Sequence, residues 1–115
     1  MAHKYVIHAY DNPQFFSSVQ FKDGADTYSC DFSPWAEDNN SITTATWTVK
    51  AGNVTLSSES LSSNVASALF TFSEAGRNHV ELKADSGTEI YIVHLIILAR
   101  NPYYPVWDYG YTWIA

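Results

Sequence analysis

The chain has 115 residues and a mass of 12.9 kDa, enough for one modest domain and too short for two. A composition of 46% hydrophobic and 16% charged residues argues against disorder and for a folded domain poor in surface charge. Twelve acids against six bases give a formal net charge of -6, which argues against a nucleic-acid partner, and the lone Cys30 excludes an internal disulfide and argues against a cysteine-based zinc site.

Met1 is followed by Ala2, His3 and Lys4 with no long apolar run, so no secretory leader is predicted. The longest apolar stretch, residues 90–99, is half of what a spanning helix needs and contains His94, so no membrane partner is expected. The chain reads as made in a cytoplasm and delivered elsewhere only by an assembly that it joins. Ser, Thr and Asn make up 29 residues and aromatics 18, a composition that favours strands and turns over helix interiors.

In chain order, the period-2 signal begins with Phe15, Ser17, Val19 and Phe21 on one face and Phe16, Ser18, Gln20 and Lys22 on the other. Asp23-Gly24 marks a turn, and Tyr28, Cys30 and Phe32 alternate again. Ser33-Pro34-Trp35 breaks the run, and the polar residues 37–40 read as a loop. Ala45, Trp47 and Val49 then point one way and Thr44, Thr46 and Thr48 the other. With a turn at residues 51–53, segments 43–50 and 53–57 are predicted to form a hairpin. Residues 57–64 hold five serines and read as a surface loop or a short helical turn. Ala66, Ala68, Phe70 and Phe72 line the next strand, and Val80, Leu82 and Ala84 alternate with His79, Glu81 and Lys83 in the one after it. Residues 89–100 form the strongest strand, apolar on both faces, which predicts cover on both sides by its own chain or by a neighbouring subunit.

About seven short strands with frequent turns and a Trp in the middle strand predict an all-β fold, an immunoglobulin-like antiparallel β-sandwich with extended N- and C-terminal arms. Residues 1–100 hold the sandwich with its N-terminal extension, and residues 101–115 form an aromatic C-terminal arm. That arm carries Tyr103, Tyr104, Trp107, Tyr109, Tyr111 and Trp113, with Pro102 and Pro105 keeping it extended. These six are the candidate partner-binding residues, because Tyr and Trp give large contact area at low entropic cost. Two other readings stay open: a sugar-stacking platform, and a last strand or lid packed on its own core.

Candidate chemistry elsewhere is sparse. His3, His8, His79 and His94 lack metal-ligand spacing, and they read as three surface histidines and one tucked into a sheet. Asp23 and Asp26 flank Gly24 and read as turn acids that bond nearby backbone, not as a calcium loop. Cys30 reads as a buried structural thiol. Asn39-Asn40-Ser41 and Asn53-Val54-Thr55 match the glycosylation triplet, a chance match in so Asn-, Ser- and Thr-rich a chain. No catalytic residue, metal or cofactor is expected.

Several stretches carry a family resemblance: Tyr28-Ser-Cys-Asp-Phe, then Asn40-Ser-Ile-Thr-Thr-Ala-Thr-Trp-Thr-Val, then Gly52-Asn-Val-Thr-Leu-Ser, then Ala75-Gly-Arg-Asn-His-Val-Glu-Leu-Lys-Ala-Asp-Ser-Gly before Glu89-Ile-Tyr. Together they resemble the Ig-like virion proteins of tailed bacteriophages, the fibre-tail adaptor and head-tail types. The resemblance covers roughly residues 28–100 and implies a structural role in the virion without catalysis. It implies that Trp47 is the core tryptophan and that Gly76 and Gly87 are hairpin turn residues. Residues 1–21 and the aromatic arm match nothing in that family, and they are the parts expected to choose the partner. The resulting expectation is an adaptor that links tail or head-tail components to fibres or neighbouring rings as a homo-oligomer. A capsid decoration protein of the same fold and a carbohydrate-binding β-sandwich module are the alternatives.

Overall fold

The computed structural model describes residues 2–8 and 13–100, together with the backbone of two short strands near the C-terminus. In chain order the elements are β1 (Ala2–Val6), β2 (Gln14–Phe21), β3 (Ala25–Asp31), α1 (Ser33–Asn39), β4 (Thr44–Ala51), β5 (Val54–Ser62), β6 (Val65–Phe72), β7 (Gly76–Asp85) and β8 (Ile90–Arg100). A two-residue antiparallel pair, β9 (Gly110–Tyr111) and β10 (Trp113–Ile114), follows.

Two four-stranded sheets stack as a β-sandwich, β1-β3-β6-β5 over β2-β8-β7-β4. This is the immunoglobulin-like strand order, with β2 added beside β8. Alternation along each strand explains the core. Tyr28 and Cys30 of β3, Ala66, Ala68, Phe70 and Phe72 of β6, Val80, Leu82 and Ala84 of β7, and Tyr91, Val93, Leu95 and Ile97 of β8 all point between the sheets and are buried. Aromatic rings tie the two layers together. Tyr28 stacks on Phe70 with centroids 4.5 Å apart, and Phe70 of the first sheet meets Trp47 of the second edge-on at 5.5 Å.

The N-terminal residues form two strands of the sandwich. β1 pairs parallel with β3, and β2 pairs parallel with β8, so each contributes an edge to a different sheet. Both pairings depart from a purely antiparallel sandwich.

Four local expectations are corrected. Residues 33–39 are a helix, not a break and a loop. Pro34 in its first turn has a pre-set φ, and Trp35, 3% exposed, is held edge-on by Phe32 and Tyr91. Residues 57–62 continue β5, with a register shift between Ser57 and Ser60 and Ser58 at φ 52°. The serines gave no period-2 signal because β5 is an edge strand whose side chains are largely wet. Segments 43–50 and 53–57 do not form a hairpin, because β4 pairs with β7 and β5 with β6 in the other sheet. The hairpin partner of β5 is β6, joined through Ser63 and Asn64, whose φ values of 49° and 67° suit a tight two-residue turn. Finally, Gly76 opens β7 in a connection that crosses between sheets, whereas Gly87 does lie in the β7–β8 hairpin.

Candidate docking surface

The outward face of the second sheet divides into two halves. On β4 and β7 it carries Thr44, Thr46, Thr48, Arg77, His79, Glu81 and Lys83, a polar half in which Lys50 and Glu81 pair at 3.2 Å. On β2 and β8 it is largely apolar. Register places Phe15 beside His94, Ser17 beside Ile96 and Val19 beside Leu98. Phe15 is 63% exposed, Val19 and Phe21 52% each, and Leu98 45%. Between these strands lies a depression of about 360 Å³ lined by Ser17, Val19, Ile96 and Leu98, with Arg77 and Ser18 completing its rim. An apolar depression of this kind suits an aromatic side chain, which gains contact area there.

Two histidines mark the border between the halves. His79 Nε2 and His94 Nδ1 are 2.8 Å apart, one ring donating to the other, and Phe15 stacks on His94 at 4.5 Å. Burial pushes the pKa of His79 down, and the neighbouring His94 and Lys50 push it the same way, against the opposing pull of Glu81. The pair is formed across strands, which the linear spacing of the histidines conceals.

A second depression of about 290 Å³ opens at the edge of the sandwich, lined by His3, Val19, Gln20, Phe21, Asp26 and Arg100. His3 Nε2 lies 3.1 Å from Asp26 Oδ2, and the His3 ring stacks on Tyr28 at 4.4 Å. Asp26 is therefore a buried strand residue of β3 and not a turn acid; only Asp23, at φ 65°, occupies the turn. Cys30 is fully buried, and burial pushes its thiol up to about 12. Among the described residues no group of three His, Cys, Asp or Glu side chains stands close enough to hold a metal ion.

Of the six arm residues singled out by sequence, Tyr103, Tyr104, Trp107 and Tyr109 lie outside the described residues. Tyr111 and Trp113 are described only in their backbone, facing each other across β9 and β10. The residues that sequence reasoning did not assign to a surface are Phe15, Val19 and Phe21. Their signal was present, since β2 carries apolar residues on both faces, but its register against β8 was needed to make them a patch. The doubly apolar β8 was legible; its inner side is buried, while Leu98 on the outer side remains exposed.

Magnitudes limit what this face does alone. Covering four half-exposed apolar side chains contributes on the order of 1 kcal/mol each, about 4 kcal/mol gross. Association costs roughly 4–15 kcal/mol in lost translational and rotational freedom. A stable complex therefore needs an occupant that brings apolar area of its own.

Fold and face together define an immunoglobulin-like β-sandwich whose second sheet exposes apolar side chains on one half of its outer face. No protein-family model matches the chain, and no curated protein matches it in sequence. Among solved structures it is similar to the cysteine protease inhibitor EhICP2 from Entamoeba histolytica, at 6% identity and a TM-score of 0.47, over 84% of this chain and 96% of that one. It is also similar to the endo-fucoidan hydrolase MfFcnA4 from glycoside hydrolase family 107, at 16% identity and a TM-score of 0.49, over 76% of this chain. The match spans 13% of the hydrolase chain. Neither likeness assigns a function.

Proposed function

We propose that the chain is a non-enzymatic structural protein of a tailed-bacteriophage particle, an adaptor that docks to neighbouring virion proteins. The phage setting rests on the sequence resemblance over residues 28–100. The docking role rests on one structural observation, the exposed apolar half-face of β2 and β8 around Val19 and Leu98. An apolar patch rimmed by polar residues is what a protein-contact surface presents. The acidic net charge of -6 suits a protein surface better than packaged DNA. The six Tyr and Trp residues within 101–115 are the part of the chain proposed to bring the additional contact area.

The test is incorporation into particles. The wild-type chain co-sediments with purified particles at a fixed ratio to the major shell protein. The double substitution Val19→Asp with Leu98→Asp, on exposed positions, leaves a folded chain by circular dichroism that no longer enters particles. A wild-type chain that stays wholly soluble while particles assemble without it overturns the reading. Saturable quenching of tryptophan fluorescence by glycans, with no particle association, assigns the carbohydrate-binding alternative instead.

A further inference from the structure

We infer that the outer edge of β2 is the pairing edge of a symmetric dimer, joined antiparallel to β2 of a second copy of this chain. The inference goes beyond the adaptor reading and stands whether or not the chain belongs to a virion.

Two open four-stranded sheets leave four edge strands, β1 and β5 in the first sheet and β2 and β4 in the second. An edge strand exposes a row of unpaired backbone N–H and C=O groups, and proteins that stay apart blunt such edges with bulges, charges or short strands. Three of the four are blunted in this way. β4 shifts register between Val49 and Ala51 and carries Lys50 at the irregularity. β5 shifts register between Ser57 and Ser60, with Ser58 at φ 52° and the charged Glu59 in the same stretch. β1 is five residues long and carries Lys4, 3.6 Å from Asp31. β2 has none of these devices. Its eight residues include no charged side chain, no proline and no glycine, and its register on β8 runs unbroken from Gln14 beside Val93 to Phe21 beside Arg100. Among the described residues no strand pairs with its other edge. The strand is also held from inside: Phe16 stacks on Tyr5 at 4.5 Å, and Gln14 Oε1 accepts from the Tyr91 hydroxyl at 3.0 Å. A partner strand therefore meets a preformed template.

Symmetry and composition select a second copy as that strand. A twofold axis perpendicular to the sheet runs two β2 strands antiparallel and keeps both core-facing sides together. With Ser18 on the axis, the outer faces set Phe15 opposite Phe21 of the second copy and Ser17 opposite its Val19, each pair occurring twice. Phe15, Val19 and Phe21 are the exposed apolar residues of the strand, and cross-strand aromatic pairs stabilise a sheet. Charge points the same way. Two copies of net charge -6 repel over most of their surface, and residues 14–21 are a charge-free stretch through which they can approach. Pairing also sets the two β2–β8 half-faces side by side in one eight-stranded sheet, doubling the apolar surface that a further partner would meet.

Light scattering over a dilution series gives the mass of the full-length wild type, expected as a dimer. Two edge variants place charge at exposed positions that oppose each other across the axis: Ser17→Lys with Val19→Lys, and Ser17→Glu with Val19→Glu. Each is expected as a folded monomer by circular dichroism, with self-association at least about tenfold weaker, because like charges then lie directly opposite. Mixing the two restores a dimer, since lysines now face glutamates, a result that misfolding of either variant would not give. Cysteines read the register. Ser17→Cys chains mixed with Val19→Cys chains and mildly oxidised give a disulfide-linked species of double mass, with the native Cys30 fully buried and out of reach. A wild type that is monomeric at every concentration overturns the inference. So does a dimer that the charged variants leave unchanged, or one in which Ser17→Cys chains link as well alone as in the mixture. A monomeric wild type that nonetheless enters particles leaves the adaptor reading standing and gives the edge to a strand of another protein. A dimer that never enters particles supports the inference and removes the virion setting.

Discussion

Gly52 and Gly87 offer a controlled comparison within one fold. Their φ values are nearly the same, +99° and +93°. A Cβ at Gly87 meets nothing within 4 Å, so Gly87→Ala costs only backbone strain, about 1–2 kcal/mol. A Cβ at Gly52 collides with the Asn78 carboxamide and comes within 2.9 Å of the Arg77 carbonyl oxygen. Asn78 is 2% exposed, and its side chain pins the β4–β5 crossover. Its Oδ1 accepts from the Asn53 N–H at 2.8 Å, and its Nδ2 donates to the carbonyls of Gly76 and Ile97 at 3.3 and 3.4 Å. Displacing it loses one good hydrogen bond and two long ones inside the sandwich, roughly a further 2 kcal/mol. Gly52→Ala should therefore cost about 3–4 kcal/mol in all. With m near 2 kcal/mol/M in urea, its unfolding midpoint lies about 1 M below that of Gly87→Ala. Urea titration followed by far-UV circular dichroism reads this directly. Equal costs for the two variants, within about 0.5 kcal/mol, would refute the claim that Asn78 pins the crossover.

Two further outcomes follow from titratable groups. The buried Cys30 thiol, pushed up to about 12, should react with a thiol reagent at pH 8 at least about a thousandfold more slowly in the folded chain than in urea; labelling at comparable rates would contradict its burial. The depressed pKa of His79 favours the neutral ring in the folded state. Stability is then full above the ordinary value of 6.5 and declines as pH falls through the lower folded value, where the unfolded chain binds more protons. Urea midpoints at pH 7.5 and 5.0 should differ more for the wild type than for His79→Gln, and an undiminished difference in the variant would remove the histidine pair as the cause.

Strands whose inward residues alternate strictly were legible from sequence. Tyr28 with Cys30, Ala66 through Phe72, and Val80 through Ala84 each announce a half-buried strand, and all are buried as their pattern requires. What sequence concealed depends on contacts between distant residues. α1 exists because Trp35 finds Phe32 and Tyr91, and because Asn64 accepts hydrogen bonds from the Ile42 and Phe32 amides on either side of the helix. β5 is polar on most positions, so only its pairing with β6 identifies it. The crossover after Ala51 looked like a hairpin turn because local turn chemistry is silent on which sheet receives the next strand. The docking face has the same character. Phe15 and Val19 are visible as apolar residues, but only the parallel register of β2 on β8 sets them beside His94 and Leu98.

The parallel pairing of β2 with β8 has a consequence for the order of events during synthesis. Gln14 leaves the ribosome early, and its neighbour Val93 nearly a whole chain later. At roughly 5–20 residues per second, β2 waits about 4–16 s for the strand it pairs with. Through that interval its aromatic and branched side chains have no sheet to join, and its backbone is open on both sides. Closure of the second sheet is a late, long-range step, so the rate of folding is governed by loop closure and not by local propensity. During translation the nascent chain is most prone to mispairing in this window, with β2 as the segment most in need of a chaperone.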